Sequence, residues 1–275
     1  MAEPMLQLTI LGCGSSGGVP RIGGADGAGF WGACDPANPK NRRRRCALLI
    51  RRTSPAGETV ALVDTSPDMK DQLIDARAGK LDGVLVTHDH ADQLHGMDDL
   101  RQVALNMRKR VDVWSDAQTF AGIDQRFGYC FATPEGSDYP PILNRHVIPE
   151  PFAPFALTGQ GGALPVLAFG QQHGRIRSLG FRFGPIAYSP DVDGLDDAAF
   201  AALAGVEIWI VDALRYAPHP SHAHLARTLE WIARVKPKRA ILTNMHVDLD
   251  YAKLAAELPP GVEPAYDGMV VEAKA

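Results

Sequence analysis

The chain is short of cysteine, short of net charge and without a long apolar run. Its 275 residues include four cysteines, Cys13, Cys34, Cys46 and Cys130, and none form a C-x-x-C pair. That spacing excludes a disulfide framework as the organising principle and leads us to expect reduced thiols in a cytoplasmic protein. A net charge of −4 offers no electrostatic reason to expect a long nucleic acid as partner. No stretch approaches the ~18 apolar residues of a membrane helix. The amino-terminal Met1-Ala-Glu-Pro-Met5 lacks a basic region followed by an apolar core, so no signal peptide is expected. The Gly-rich segment Gly12 to Gly18 lacks the Lys-Ser/Thr of a nucleotide P-loop. Internal repetition at a short fixed period is also missing, which excludes a solenoid.

What remains is ordinary for a globular protein, 45% apolar and 22% charged. The length suits one large domain or two small ones, and no linker-like stretch divides it. We therefore expect a single domain over 1–275. Apolar runs at 6–11, 46–50, 60–63, 84–86 and 111–114 read as strands, with Ser54-Pro-Ala-Gly57 as a turn. Helices are expected from Asp64–Asp68 to about Ala76, and over Met97, Leu100, Ala104 and Met107. Another should begin at Ser115, with Phe120, Ile123 and Phe127 inward. Residues 128–162 promise little regular structure beyond a strand near His146. The second half repeats the scheme. Strands fall at 164–169, 178–183, 185–188, 207–211 and 239–242, and helices at 196–204 and 221–235. Sheet elements alternating with amphipathic helices imply two mixed sheets packed face to face, helices outside.

The stretch Val84-Leu-Val-Thr-His88-Asp-His90-Ala-Asp92-Gln93-Leu-His95-Gly96 concentrates chemistry. Three of the chain's nine histidines fall within eight residues, directly after an apolar strand. Imidazoles at i and i+2 on a tight loop can point at one divalent ion, and the carboxylate two residues on can serve a second. His173, Asp191 and His246 also follow strands. If the strand ends converge, these side chains surround one or two ions, zinc or manganese. A loop at a strand end is where a rigid scaffold holds reactive groups.

The H-x-H-x-D loop, a later His, an Asp after a hairpin and a final His resemble the metallo-β-lactamase superfamily, an α/β fold built as an αββα sandwich. Leu11-Gly-Cys-Gly-Ser-Ser-Gly-Gly-Val-Pro20 resembles the phosphodiesterase branch of that family. So do Val63-Asp64-Thr-Ser-Pro-Asp68, Gly96-Met-Asp-Asp-Leu-Arg101 and Ala265-Tyr-Asp-Gly-Met269. Members of that branch act on ribose cyclic phosphates, cyclic nucleotides or RNA. The resemblance implies His88, His90 and His173 on a first ion. It implies Asp92 and His246 on a second, Asp191 between them, and attack by a hydroxide held there. It places His222 at the open side, to hold a phosphate oxygen or protonate the leaving group, with Asp92 and Asp191 completing the catalytic set.

Three departures stand out. Gln93 occupies the place of a usual second-site His, and an amide oxygen suits harder ions than zinc. The late Thr-His reads Thr243-Asn244, with His246 two residues on. Cys34 stands alone where close relatives carry a zinc-binding Cys cluster, so no structural zinc is expected. His95 can compensate for Gln93 or simply pack at a helix start. His222 can equally cap the following helix, while His219 and His224 read as structural. Asp64 can orient a ligand His, cap a helix, or both. Arg42 to Arg45 reads as a solvated strand entrance. The expected activity is metal-dependent hydrolysis of a small phosphodiester, foremost a cyclic one such as a ribose cyclic phosphate or nucleotide. Neither a membrane nor a long nucleic acid is expected as partner, and a homodimer is left open. The alternatives are thioester or lactone hydrolysis, or nucleotide binding on a degenerate second metal site.

Overall fold

The computed structural model describes residues 3–275, so the first two residues of the amino-terminal stretch lie outside the described residues. Its strands and helices follow in the order β1 (Met5–Gly12), β2 (Ala47–Ser54), β3 (Gly57–Val63), α1 (Met69–Asp75), β4 (Gly83–Leu85), α2 (Ala91–Leu94), α3 (Leu100–Met107), β5 (Val111–Ser115), α4 (Ala117–Phe127), β6 (Leu143–Val147) and β7 (Phe155–Gly159). Then come β8 (Gly162–His173), β9 (Ile176–Phe183), β10 (Ile186–Ser189), α5 (Asp197–Leu203), β11 (Ile208–Asp212), α6 (Leu225–Val235), β12 (Arg239–Thr243), α7 (Tyr251–Glu257), β13 (Val262–Pro264) and β14 (Met269–Lys274). Two seven-stranded sheets result, ordered β14-β1-β2-β3-β4-β5-β6 and β13-β12-β11-β10-β9-β8-β7. Both are mixed: β2–β3 is antiparallel while β3–β4–β5–β6 run parallel. Likewise β8–β9–β10 are antiparallel and β10–β11–β12–β13 parallel.

The chain divides into two compact units. Unit 1 holds residues up to Thr9, Ala47–Pro165 and Val270–Ala275; unit 2 holds Ile10–Cys46 and Val166–Met269. In unit 1 the short β4 is buried throughout, and Val84, Leu85 and Val86 are all fully buried. An apolar run of that kind is what a central parallel strand requires. In unit 2, β10 and β11 are buried at every position, including Trp209, whose indole N–H donates to Ser189 Oγ at 3.0 Å. All four cysteines are free and buried.

Several elements differ from the sequence expectation. Residues 128–162 carry β6 and β7, not merely one strand. The helix expected from Ser221 begins at Leu225, because Ala223 N–H is taken by Val192 O (2.7 Å) and Ala223 O by Leu214 N–H (2.9 Å). Helix α7, capped by Asp250 accepting from Lys253 N–H at 2.9 Å, has no counterpart among the expected helices. The Arg42–Arg45 run is not a solvated entrance: Arg43 is 1% exposed. Among the described residues no helix is long and apolar enough to cross a membrane.

Candidate metal centre

In unit 1, Asp64 and Thr87 follow the ends of β3 and β4. Asp64 adopts a left-handed conformation (φ 66°) and its carboxylate accepts from Thr87 N–H (2.8 Å) and from the Thr87 hydroxyl (3.0 Å). That hydroxyl, having given its proton to Asp64, accepts from His88 Nδ1 at 3.0 Å. The His88 proton is thereby fixed on Nδ1, and Nε2 carries the lone pair that a ligand needs. Asp64 thus orients His88 through Thr87, the kind of relay that metal-bound imidazoles use. The His88 and His90 rings lie 4.6 Å apart, edge to face. Asp89, between them, turns away to pair with Arg126 at 2.6 Å.

The loop that follows is zipped to the segment after β3. Thr65 N–H donates to Gln93 O (2.9 Å), Thr65 Oγ1 to Leu94 O (3.1 Å) and Gly96 N–H to Thr65 O (2.8 Å). The approach is so close that a Cβ on Gly96 would stand 2.1 Å from Ser66 O. Asp92 lies half-buried in the first turn of α2, and Gln93 is fully buried. His95 is exposed, with its ring edge-on to Phe127 at 5.8 Å.

Unit 2 assembles its groups at the carboxyl ends of parallel strands. Register pairs Ser189 with Val211 and Asp212 with Thr243, so Asp191, Asp212 and Asn244 emerge side by side. Ligands of open α/β sheets gather at this edge. One ligand atom from each of His173, Asp191 and His222 lies within 4.8 Å of the others. His173 Nδ1 donates to the Ser221 carbonyl at 2.5 Å. A carbonyl only accepts, so the lone pair of this ring is again on Nε2.

His222 Nδ1 meets Asp212 Oδ2 at 2.9 Å, and Asp212 Oδ2 also accepts from Val192 N–H at 3.2 Å. Burial lifts the Asp212 carboxyl to about 6, against the pull of His222. Asn244, left-handed at φ 59°, donates its amide to Asp191 Oδ1 at 3.1 Å and sits 3.0 Å from His222 Nδ1. His246 takes a different course: its Nδ1 stands 3.0 Å from Asp248 Oδ2, and it is not one of the three side chains that gather. His219 Nδ1 accepts from Ser221 N–H at 3.3 Å, and burial, then His222, hold its pKa below the usual value. His224 caps α6 without a side-chain hydrogen bond.

Asp212 was not among the residues expected from the sequence. The one signal available was its place at the end of an apolar strand, directly before the His219–His224 cluster. The donors present in unit 2 fit a divalent ion. Two imidazoles and a carboxylate are borderline-soft and hard donors of the kind zinc and manganese accept. Two further buried oxygens, Asp212 Oδ1 and Asn244 Oδ1, find no hydrogen-bond donor among the described residues. Both only accept, which suits a site meant to hold positive charge.

The model of the beta-lactamase superfamily domain matches residues 59–245. The chain belongs to that family. Its two mixed seven-stranded sheets with helices are the metallo-β-lactamase fold, a fold of hydrolases that bind divalent metals. A solved diphosphatase of the PhnP family is 28% identical to this chain over 98% of it and 97% of the other, with a TM-score of 0.83. Zinc-bound PqqB from Methylobacterium extorquens superposes with a TM-score of 0.72 at 16% identity, covering 96% and 99% of the two chains, and human tRNase Z, short form, at 0.61 and 17%, covering 96% and 98%. These two show the fold. A curated octanoyltransferase from Porphyromonas gingivalis is 29% identical over 96% of this chain, and the chain spans 51% of that protein's length.

Proposed function

We propose that this chain is a metal-dependent hydrolase of small phosphodiesters, a cyclic ribose phosphate or nucleotide being the substrate class. The observation that carries the reading is the paired tautomer control. Asp64–Thr87 and the Ser221 carbonyl each commit one ring of the set, His88 and His173, to carrying its lone pair on Nε2. A ligand role gives that shared commitment its purpose. Likeness to a diphosphatase over nearly the whole chain supports phosphoryl chemistry.

In this reading His88, His90 and Asp92 of unit 1 and His173 and Asp191 of unit 2 are the residues that would hold divalent metal. His246 remains a candidate ligand, since Asp248 engages only its Nδ1. A divalent metal held there would supply an activated water and neutralise charge on the phosphoryl group. The protein's own groups do the rest. Asn244 fixes the Asp191 carboxylate by its amide. Asp212 fixes His222, whose Nε2 passes a proton to the leaving oxygen.

The test is turnover of bis(p-nitrophenyl) phosphate and of a ribose cyclic phosphate by protein of verified Zn²⁺ or Mn²⁺ content. His173→Ala should abolish turnover and lower metal content. His222→Ala should keep its metal and lose kcat; loss of an ion would instead move His222 into the ligand set. Metal-replete protein that cleaves no phosphodiester would refute the proposal. A second reading, hydrolysis of an acyl thioester, is favoured by the octanoyltransferase relative. Turnover of an octanoyl thioester in place of the phosphodiesters would establish it.

A further inference from the structure

Arg43 is the largest charged side chain in the interior, 1% exposed. Its backbone pairs with Val19 on both sides, N–H to O at 2.9 Å and O from N–H at 2.8 Å, which fixes it beside the Gly-rich loop. Its guanidinium reaches a segment some two hundred residues away. Nη1 donates to His246 O at 3.2 Å, and Nη2 donates to Leu249 O at 2.6 Å and Asn41 Oδ1 at 3.3 Å; Cys34 Sγ lies 3.8 Å from Nη1. Among the described residues no carboxylate pairs with it directly. One carboxylate stands a step removed, Asp250 Oδ2, which accepts from Asn41 Nδ2 at 2.6 Å. A buried guanidinium without a carboxylate partner is costly, and its charge must be met by dipoles instead. Here the segment after β12 supplies them by turning two carbonyls inward.

The same segment bears on the metal centre. It begins with Asn244, held in a left-handed conformation with its amide on Asp191. Met245 N–H is tied to Cys13 O (2.8 Å), His246 N–H to Leu214 O (2.9 Å), and Ala33 N–H to Val247 O (2.9 Å). Cys34 Sγ reaches the carbonyls of Val247 and Leu249 at 3.4 Å. The planar fork of Arg43 is the group that binds two points of the loop, three residues apart, through charged hydrogen bonds.

We propose that Arg43 is a positioning residue: an internal cation that clamps the 244–250 segment by its carbonyls and so holds the Asn244 amide on Asp191. The kinetic arm of its test rests on the phosphodiesterase reading, while the other two arms do not. Arg43→Met and Arg43→Lys would be made in the full chain. Hydrogen exchange by mass spectrometry, Mn²⁺ affinity by titration, and kcat and KM on bis(p-nitrophenyl) phosphate would be read for each. Arg43→Met should raise exchange selectively in 244–250 and weaken Mn²⁺ binding roughly tenfold. It should cut kcat by about 10–100-fold with KM within about threefold, the pattern of a misplaced group. Arg43→Lys, a point charge unable to hold both carbonyls, should fall between. A folded Arg43→Met protein with wild-type exchange in 244–250 would overturn the proposal, as would unchanged metal affinity. If Arg43→Met fails to fold, Arg43→Lys decides on the same readings. Absence of turnover in every variant and in the wild type would count against the phosphodiesterase reading alone.

Discussion

Replacing Asp212 with Asn should make the metal-free protein more stable at neutral pH and the loaded enzyme worse. Asp212 is fully buried, and burial lifts its carboxyl from 3.8 to about 6. The sign follows from linkage. Below about pH 4 the group is protonated in both folded and unfolded chains, and nothing is lost. Between about pH 4 and 6 the unfolded chain releases a proton the folded chain keeps, so stability falls as pH rises. Above about pH 6 the full cost is present, about 3 kcal/mol for a gap of about two units. The neutral amide removes that cost. It loses about 1.5 kcal/mol or more with the charged hydrogen bond to His222 Nδ1, leaving a gain of up to about 1.5 kcal/mol. For a chain of this size that corresponds to a Tm rise of up to roughly 3–6 °C. The assay is thermal unfolding in EDTA at pH 7.5 and again near pH 4.5, where the gain should largely vanish. Activity should move the other way. An Asn amide turned to donate at Nδ1 holds the ring in the wrong tautomer, and the lost interaction alone implies a fall of about 10–150-fold in kcat/KM. A lower Tm at pH 7.5, or kcat/KM within about threefold of wild type, would refute the reasoning.

Other outcomes follow from single contacts. His95→Ala should leave the metal content by mass spectrometry unchanged and cost no more than about 1 kcal/mol, since His95 is exposed and gives up only an edge-on contact with Phe127. Gly96→Ala should be severe, because its Cβ would stand 2.1 Å from the Ser66 carbonyl and the turn carrying His88 to Asp92 would have to move. We expect a loss above about 3 kcal/mol in urea unfolding, together with weakened metal binding. An Ala variant with wild-type midpoint and metal affinity would show that the zipped turn is not what places the ligands.

The central parallel strands were readable because burial on both faces demands unbroken apolar runs, as in Val84-Leu-Val86 and Ile208-Trp-Ile-Val211. Strand β6 was only half visible and β7 not at all. Their burial alternates, and polar residues such as Asn144 and Arg145 make them look like loop. The start of α6 was misplaced because Ser221 to His224 satisfies its backbone by reaching other segments, which no local pattern records. The candidate site was legible wherever a proposed ligand sits in a motif: His88, His90 and Asp191 follow strands and His173 ends one. Asp212 was not, since an Asp closing an apolar strand reads as a stop signal. Only the register that sets it beside Thr243 brings its carboxylate to His222.

The arginine run shows why charge patterns mislead on an extended chain. Side chains on such a chain alternate between faces, so four consecutive arginines are two features, not one. Arg42 lies outside, its guanidinium 5.3 Å over the Trp31 ring. Arg44, also toward that side of the alternation, pairs with Asp267 at 3.2 Å and remains partly exposed. Arg43 points the other way and is accepted inside because His246 and Leu249 offer carbonyls at the right spacing. Composition therefore fixes that a charge is present, but the distant loop decides whether it is solvent-facing or structural. The same logic applies at Asn244. It departs from a histidine pattern, yet its amide finds a carboxylate, and the cation that secures its loop is supplied by a residue some two hundred positions earlier. A substitution at Asn244 that restored an imidazole without regard to Arg43 would add a ligand to a loop still shaped for an amide. We therefore expect Asn244→His to gain less than about tenfold in Mn²⁺ affinity; a larger gain by titration would show that the loop's geometry already suits a ligand there.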